Sequence, residues 1–455
     1  MSGRARGAGD RPRQRTGVPL GWTHQFLSGP LLDLPGATVS GGRLAPDGPA
    51  YKALFIEGDF FYAFTPTLAL SDARKVLRPA EAGLPVVLFG AFDQALTPGV
   101  PAPGGTEQLR EVLARLLALP HVVRVSDKTA IGDALTRLGV TPDARYATSS
   151  TLFNAHRATL EADFYYLCNG KHAETVKPPV AAIDHEVTLR RTRGGATVPY
   201  LLDPWTGEVA RTAHYTQEGD DFTLRVILQP GQVVIVALGR PGLFGDRNGD
   251  RLYALATDVD AVLFTRGGLT VRATTAGTYT TRLSRGRTVT TVVPTVPEVI
   301  TPTRWQLEVE DWYPGSDATR TERVRRTLTL DTLLPWSQIP ELADTAGIGR
   351  YRTTVALPAG WDASHGAYLD LGQVSDTFRV TVNGTRLAPA DRLRPVVDVG
   401  ALLRHGDNTL EIEVATPLIN RLRGVQPAVF GAAARQAHGL VGPVRLVPYV
   451  QATVD

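Results

Sequence analysis

Two kinds of hydrophobic spacing divide this chain. Between residues 50 and 145, short apolar runs alternate with helix-period segments. YKALFI (51–56), LPVVLFG (84–90) and HVVRVS (121–126) have the length and composition of buried strands. SDARKVLRPAEAG (71–83) starts on Ser-Asp, carries apolar residues at helical spacing and ends on glycine. TEQLREVLARLLAL (106–119) places Leu109, Val112, Leu113, Leu116 and Leu117 on one face, and TAIGDALTRLGV (129–140) predicts a third helix. This alternation predicts a small parallel sheet with helices on both faces, a small α/β domain.

From about residue 146 the helical period disappears. DFYYLCNG, HEVTLRRTRGGATVPYLLD, GEVARTAHY and DFTLRVILQPGQVVIVALG are alternating runs separated by turn residues, which predicts an antiparallel β-sandwich. VPTVPEVITPT (293–303) reads as a proline-rich linker. Beyond it, RWQLEVEDW, GRYRTTVALP, AYLDLGQVSDTFRVTVNGTRL and GDNTLEIEVA predict another β unit. Within it VTVNGTRL (380–387) is a strand, Asn383-Gly384, strand signal, read as a turn with two positive-φ residues and not as a ligand site. The expected organisation is multidomain and mainly β. It comprises tail and loop over 1–49, partly disordered, the α/β domain over 50–145, the sandwich over 146–298 and a last β domain over 299–455.

Charge removes one class of partner. The net charge is +3, and the first 15 residues hold five arginines against one aspartate. The body is therefore close to neutral and lacks the basic face that nucleic acid requires. The arginine-rich start reads as a solvated tail. Cys168 is the one cysteine, so no intramolecular disulfide and no cysteine-based metal cluster is possible. No run of about 18 apolar residues predicts a transmembrane helix, and TGVPLGWTHQFLSGP lacks the apolar core of a secretory signal. The expectation is a cytoplasmic protein with no membrane partner, provided the start is correctly placed.

Candidate chemistry is sparse. The turns EGDFFYAF and GAFDQALTPG hold neither a dinucleotide fingerprint nor a Walker lysine, and G-x-S-x-G is absent. DRNGD sets Asp246, Asn248 and Asp250 at calcium-loop spacing, but Arg251 replaces the required glycine and Thr257 the twelfth-position glutamate. It reads as a polar hairpin tip, with calcium as the second reading; no metal and no cofactor are expected. Asp203, Glu208, Glu308, Glu310 and Asp311 are carboxylates in β regions, and Glu308 with Glu310 reads as a solvated strand face. His156 and Arg157, ahead of DFYYLCN, would either grip a sugar hydroxyl or carboxylate, or tie the α/β domain to the sandwich. The second is favoured here. Trp205, Trp305, Trp312, Trp336 and Trp361 all lie in β regions, where packing is the default. Trp361, in the turn-like LPAGWDASHG, is the one expected to be exposed and to serve as a sugar platform. In PYLLDPWTGEV, Asp203 can accept from its own downstream backbone, Pro204 fixes φ and Gly207 supplies positive φ. That predicts a hairpin turn in which Asp203 and Trp205 belong to a domain interface.

RYRTTVALPAGW, LDLGQVSDTFRVTVNGTRL and LLRHGDNTLEIEVATPLINRL resemble the galactose-binding-like jelly roll of large glycoside hydrolases. GRLAPDGPAYKALFI, AGLPVVLFG, HRATLEADFYYLCNG, PYLLDPWTGEV and WQLEVEDW together resemble, from about residue 40 onward, the C-terminal part of family 106 glycoside hydrolases, the α-L-rhamnosidases. The resemblance implies a flavodoxin-like segment, a β-sandwich and a jelly roll that follow a catalytic α/β barrel. It carries no catalytic residue onto this chain, because the barrel with its acid and base glutamates has no counterpart here. The implied partner is carbohydrate, with a rhamnose-containing glycan foremost, together with a separate barrel-bearing chain. The alternatives are a stand-alone carbohydrate-binding protein and an inactive relic.

Overall fold

Antiparallel sheets dominate the structure, alongside a small three-stranded parallel sheet. The computed structural model describes residues 19–58, 66–99, 103–147, 150–170, 180–192, 194–246, 252–317 and 319–454. The arginine-rich tail and Asn248, Asp250 and Arg251 of the candidate calcium loop lie outside the described residues. The chain divides into two units: one takes Met1–Thr197 and Gln217–Leu243, the other Val198–Thr216 and Phe244–Asp455.

In the first unit, Leu54–Glu57, Val86–Phe89 and Val122–Val125 form a parallel sheet in sequence order. Every residue of the central strand is buried, as expected for a strand covered on both faces. Val86 and Leu88 share one core with the helices Leu70–Glu81 and Gly105–Leu117. Val87 and Phe89 share another with Ile131, Ala134 and Leu135 of the helix Ile131–Arg137. The alternation of the strand thus sends neighbouring residues into two separate cores.

The antiparallel part of this unit has two layers. Ala162–Asn169 pairs with Leu152–Ala158 on one side and Val233–Gly239 on the other. Ile183–Arg190 pairs with Ala144–Arg145 and Asp221–Leu228. Phe222, Leu224, Val226 and Leu228 are buried at every second position, the period-2 pattern read in the sequence. Tyr165 links the layers by donating its hydroxyl to the Arg190 carbonyl at 2.5 Å.

The second unit contains a six-stranded and a five-stranded antiparallel sheet. Trp305, Leu307, Val309, Tyr351, Val380 and Ile412 from one share a core with Ala367, Leu369 and Leu446 from the other. The strand Gly268–Ala273, which precedes the proline-rich stretch, pairs with Arg445–Thr453. The Asn383-Gly384 hairpin forms with φ of +48° and +80° and Val382 opposite Thr385. Its Asn383 amide donates to Asn408 Oδ1 at 2.8 Å, and Asn408, wholly buried, donates to Arg404 O at 2.6 Å. Two side-chain amides therefore fasten the hairpin to the strand Gly406–Ala415.

Among the described residues no helix is long and apolar enough to cross a membrane.

Candidate functional site

PYLLDPWTGEV forms the turn of a hairpin. Val198–Leu202 and Val209–Arg211 pair with Leu202 opposite Val209. Asp203 Oδ1 accepts the backbone N–H groups of Trp205 at 2.7 Å and Thr206 at 3.3 Å, and Gly207 has φ of +74°. The carboxylate is committed to holding the turn. Trp205 at the tip is 44 % exposed, and Glu208 beside it is exposed as well. Asp246, the described member of the candidate calcium loop, accepts from the Tyr200 hydroxyl at 2.8 Å and lies 3.7 Å from Arg211. Among the described residues no three His, Cys, Asp or Glu side chains are placed to hold a metal ion.

His156 and Arg157 are neighbours within the strand Leu152–Ala158, so their side chains leave opposite faces and do not converge. The His156 ring stacks on Tyr165 with centroids 4.4 Å apart and planes at 5°. Its Nδ1 lies 3.1 Å from Asp143 Oδ2 and its Nε2 2.9 Å from Asp163 Oδ1. Lys52 pairs with the other oxygen of Asp143, and Thr192 donates its backbone N–H to Asp163 at 2.9 Å. Burial pushes the imidazole pKa down, but the hydrogen bonds and charges of Asp143 and Asp163 outweigh it and leave the pKa raised. Burial pushes both carboxyls up, and their partners (His156 with Lys52 for Asp143, His156 with Thr192 for Asp163) bring both below the usual range. The arrangement is an imidazolium between two carboxylates, with both ring nitrogens already engaged. Arg157 points to solvent, where it donates to Gln25 Oε1 at 3.0 Å.

Trp361 differs from expectation. It is 7 % exposed and belongs to the core of the second unit. Pro358, Ala359 and Gly360 turn the backbone at the surface, yet the ring folds back inside beside His365, 5.5 Å away. Trp305 and Trp336 are buried too, whereas Trp312 is 37 % exposed.

Trp312 lies on the outward row of Trp305–Pro314 together with Glu308 and Glu310. Along the sheet, Arg350 lies 3.0 Å from Glu413 and Arg352 2.5 Å from Glu411. Glu308 and Glu310 are thus part of an ion-pair ladder on an outer face, with Arg350 and Arg323 beside them. On the edge strand Thr321–Leu330, Arg323 stands opposite Trp312 and Arg325 opposite Glu310. The sequence reading passed over these two arginines. The signal was present in the i, i+2 spacing of RVR, which puts both on one strand face. Asp311, on the inward row and wholly buried, receives Arg421 at 2.6 Å.

Two cavities among the described residues bear on whether an acid pair converges. One of about 290 Å³ is lined by Leu252, Phe264, Arg266, Gly267, Gly268, Leu269 and Val454, with no carboxylate. Another, of about 510 Å³ between the helices Leu70–Glu81 and Gly105–Leu117, contains Glu81 and Glu111, and Arg115 neutralises Glu81 at 2.6 Å.

No family model and no curated protein matches the chain. Among solved structures, a rhamnosidase from Novosphingobium sp. PP1Y is similar over 96 % of this chain, with 22 % identity and a TM-score of 0.63. An FMN-binding beta-glucuronidase from Facaelibacterium prausnitzii L2-6 (34 % of this chain and 22 % of that one, 23 % identity, TM-score 0.22) superposes too loosely to bear on the fold. The same holds for an alpha-L-rhamnosidase from Dictyoglumus thermophilum (58 % and 25 %, 11 % identity, TM-score 0.16). The chain therefore has the fold of a part of the Novosphingobium rhamnosidase, and it spans 37 % of that protein's length.

Proposed function

We propose that this chain is the non-catalytic C-terminal portion of a rhamnosidase-like glycoside hydrolase, and that it binds or positions glycan. The observation that carries this reading is the likeness along 96 % of the chain to just over a third of a rhamnosidase. The disposition of the acids supports the non-catalytic half. An inverting glycosidase needs two carboxyl groups about 6.5–9.5 Å apart with a sugar between them. Here the part-buried Asp143 and the buried Asp163 and Asp311 each have a cationic or imidazole partner within the fold. Glu308 and Glu310 have arginine neighbours on an outer face.

A second reading is that the chain works beside a separate barrel-bearing polypeptide. The jelly-roll assignment of the second unit and the domain-interface role of Asp203 and Trp205 belong to the same proposal.

The test is a pair of assays on the purified chain. The reading expects saturable retention by a neutral rhamnan in affinity electrophoresis and no release of nitrophenol from nitrophenyl α-L-rhamnoside. Steady nitrophenol release at a rate proportional to protein would overturn the non-catalytic part. Absence of retention by any glycan would overturn the binding part.

A further inference from the structure

Trp312 is fixed in place while part of its ring faces solvent. Its Nε1–H donates to Glu310 Oε1 at 2.9 Å, which sets the orientation of the indole. On the neighbouring strand, Gly347 leaves bare backbone under the ring edge. A Cβ there, at φ of +155°, would stand 3.2 Å from Trp312 Cδ1 and 2.0 Å from the Glu310 carbonyl oxygen. Only glycine lets the Trp312 strand lie so close.

Charge around the ring is unequal. Arg323, opposite Trp312, sits 3.5 Å from Glu310 and offsets its charge. The Trp312 hydrogen bond first, and then Arg323, hold the Glu310 carboxyl below the usual range, so it stays an acceptor. Arg325, one step along the same outward row, is exposed and has no ion pair among the described residues. Two guanidinium groups therefore flank one carboxylate beside an open aromatic surface.

We infer that Trp312, Arg323 and Arg325 form a platform on the outer sheet face for a uronate-bearing pyranose. This deepens the glycan-binding reading and rests on it. The apolar C–H face of a pyranose stacks on the indole. A ring hydroxyl at the rim donates to Glu310 or accepts from Arg323. The sugar carboxylate takes Arg325, whose planar fork suits bidentate pairing.

The experiment is affinity electrophoresis of the full chain in gels containing polygalacturonate, neutral rhamnan or dextran, with Trp312→Ala and Arg325→Gln in parallel. Circular dichroism confirms that each variant is folded. Polygalacturonate is expected to retard the parent chain, and either substitution to weaken the interaction by about tenfold, the equivalent of one good contact. Trp312→Ala leaves net charge unchanged, so it separates stacking from plain attraction to a polyanion. Retardation of Trp312→Ala equal to that of the parent overturns the platform. Retardation by rhamnan with none by polygalacturonate also overturns it and leaves the glycan reading standing. Retardation by no polysaccharide sinks both.

Discussion

The Asp143–His156–Asp163 cluster and the Trp312 face use the same chemistry, an aromatic ring with carboxylates and cations, and put it to opposite use. In the first, the His156 side chain is 9 % exposed and Asp163 1 %, and each polar atom of the imidazole has a partner from the chain itself. In the second, Trp312 is over a third exposed and Arg325 has no ion pair among the described residues. Burial separates a structural clasp from a surface able to receive a ligand. Inside the fold an unpaired charge costs several kcal/mol, so charges there are matched, whereas on the surface water satisfies what the protein does not.

That contrast can be broken at several points. His156→Ala should have the largest effect. It leaves the buried Asp163 with only the Thr192 donors and the part-buried Asp143 with Lys52, and the expected destabilisation is about 3 kcal/mol or more by urea unfolding. A loss below about 1 kcal/mol would mean that the cluster is solvated and is no clasp.

The pH dependence comes next and has a sign on each side. The raised His156 pKa gives stability that is full below the unfolded value of about 6.5 and is lost as pH rises through the folded value. The lowered Asp143 and Asp163 values give stability that is full above the unfolded value of about 3.9 and is lost as pH falls through their folded values. Unfolding midpoints of the parent chain should therefore be highest between these limits. In His156→Gln the decline on the alkaline side should be flatter than in the parent.

Asp203→Ala removes the side-chain acceptor of two backbone N–H groups at an exposed turn and should cost about 1 kcal/mol, without affecting glycan retention. On the outer ladder, Arg352→Ala should cost less than about 1 kcal/mol although its contact with Glu411 is short, because both ends are screened by water. Trp312→Ala should cost no more than about 1 kcal/mol, while it lowers retention by polygalacturonate. A large stability loss there would place the ring in the core economy and not on a platform.

The parts of this fold that were legible in sequence are those fixed by local chemistry. Period-2 and period-3.6 spacing located the parallel sheet, and Leu109, Val112, Leu113 and Leu116 are buried on the predicted helix face. Asn383-Gly384 and Asp203 through Gly207 declared their turns because positive φ and side-chain-to-backbone bonds are local requirements. Side-chain destinations were less accessible. The Pro-Ala-Gly run before Trp361 correctly marks a surface turn, but turn signals describe the backbone path, and the indole returns to the core. Asp143, His156 and Asp163 come from three separate segments, so only the folded chain reveals that His156 has both nitrogens engaged. Trp312 was visible as a residue but not as an exposed one, since its surroundings include Gly347 from a strand more than thirty residues away.

Native mass spectrometry of the full chain with an oligosaccharide that alternates rhamnose and galacturonate tests the central claim most directly, because it reads binding and cleavage together. The account predicts a complex whose mass equals the chain plus the intact oligosaccharide, saturating with concentration. Free chain at every concentration, or release of rhamnose from the oligosaccharide, would contradict it.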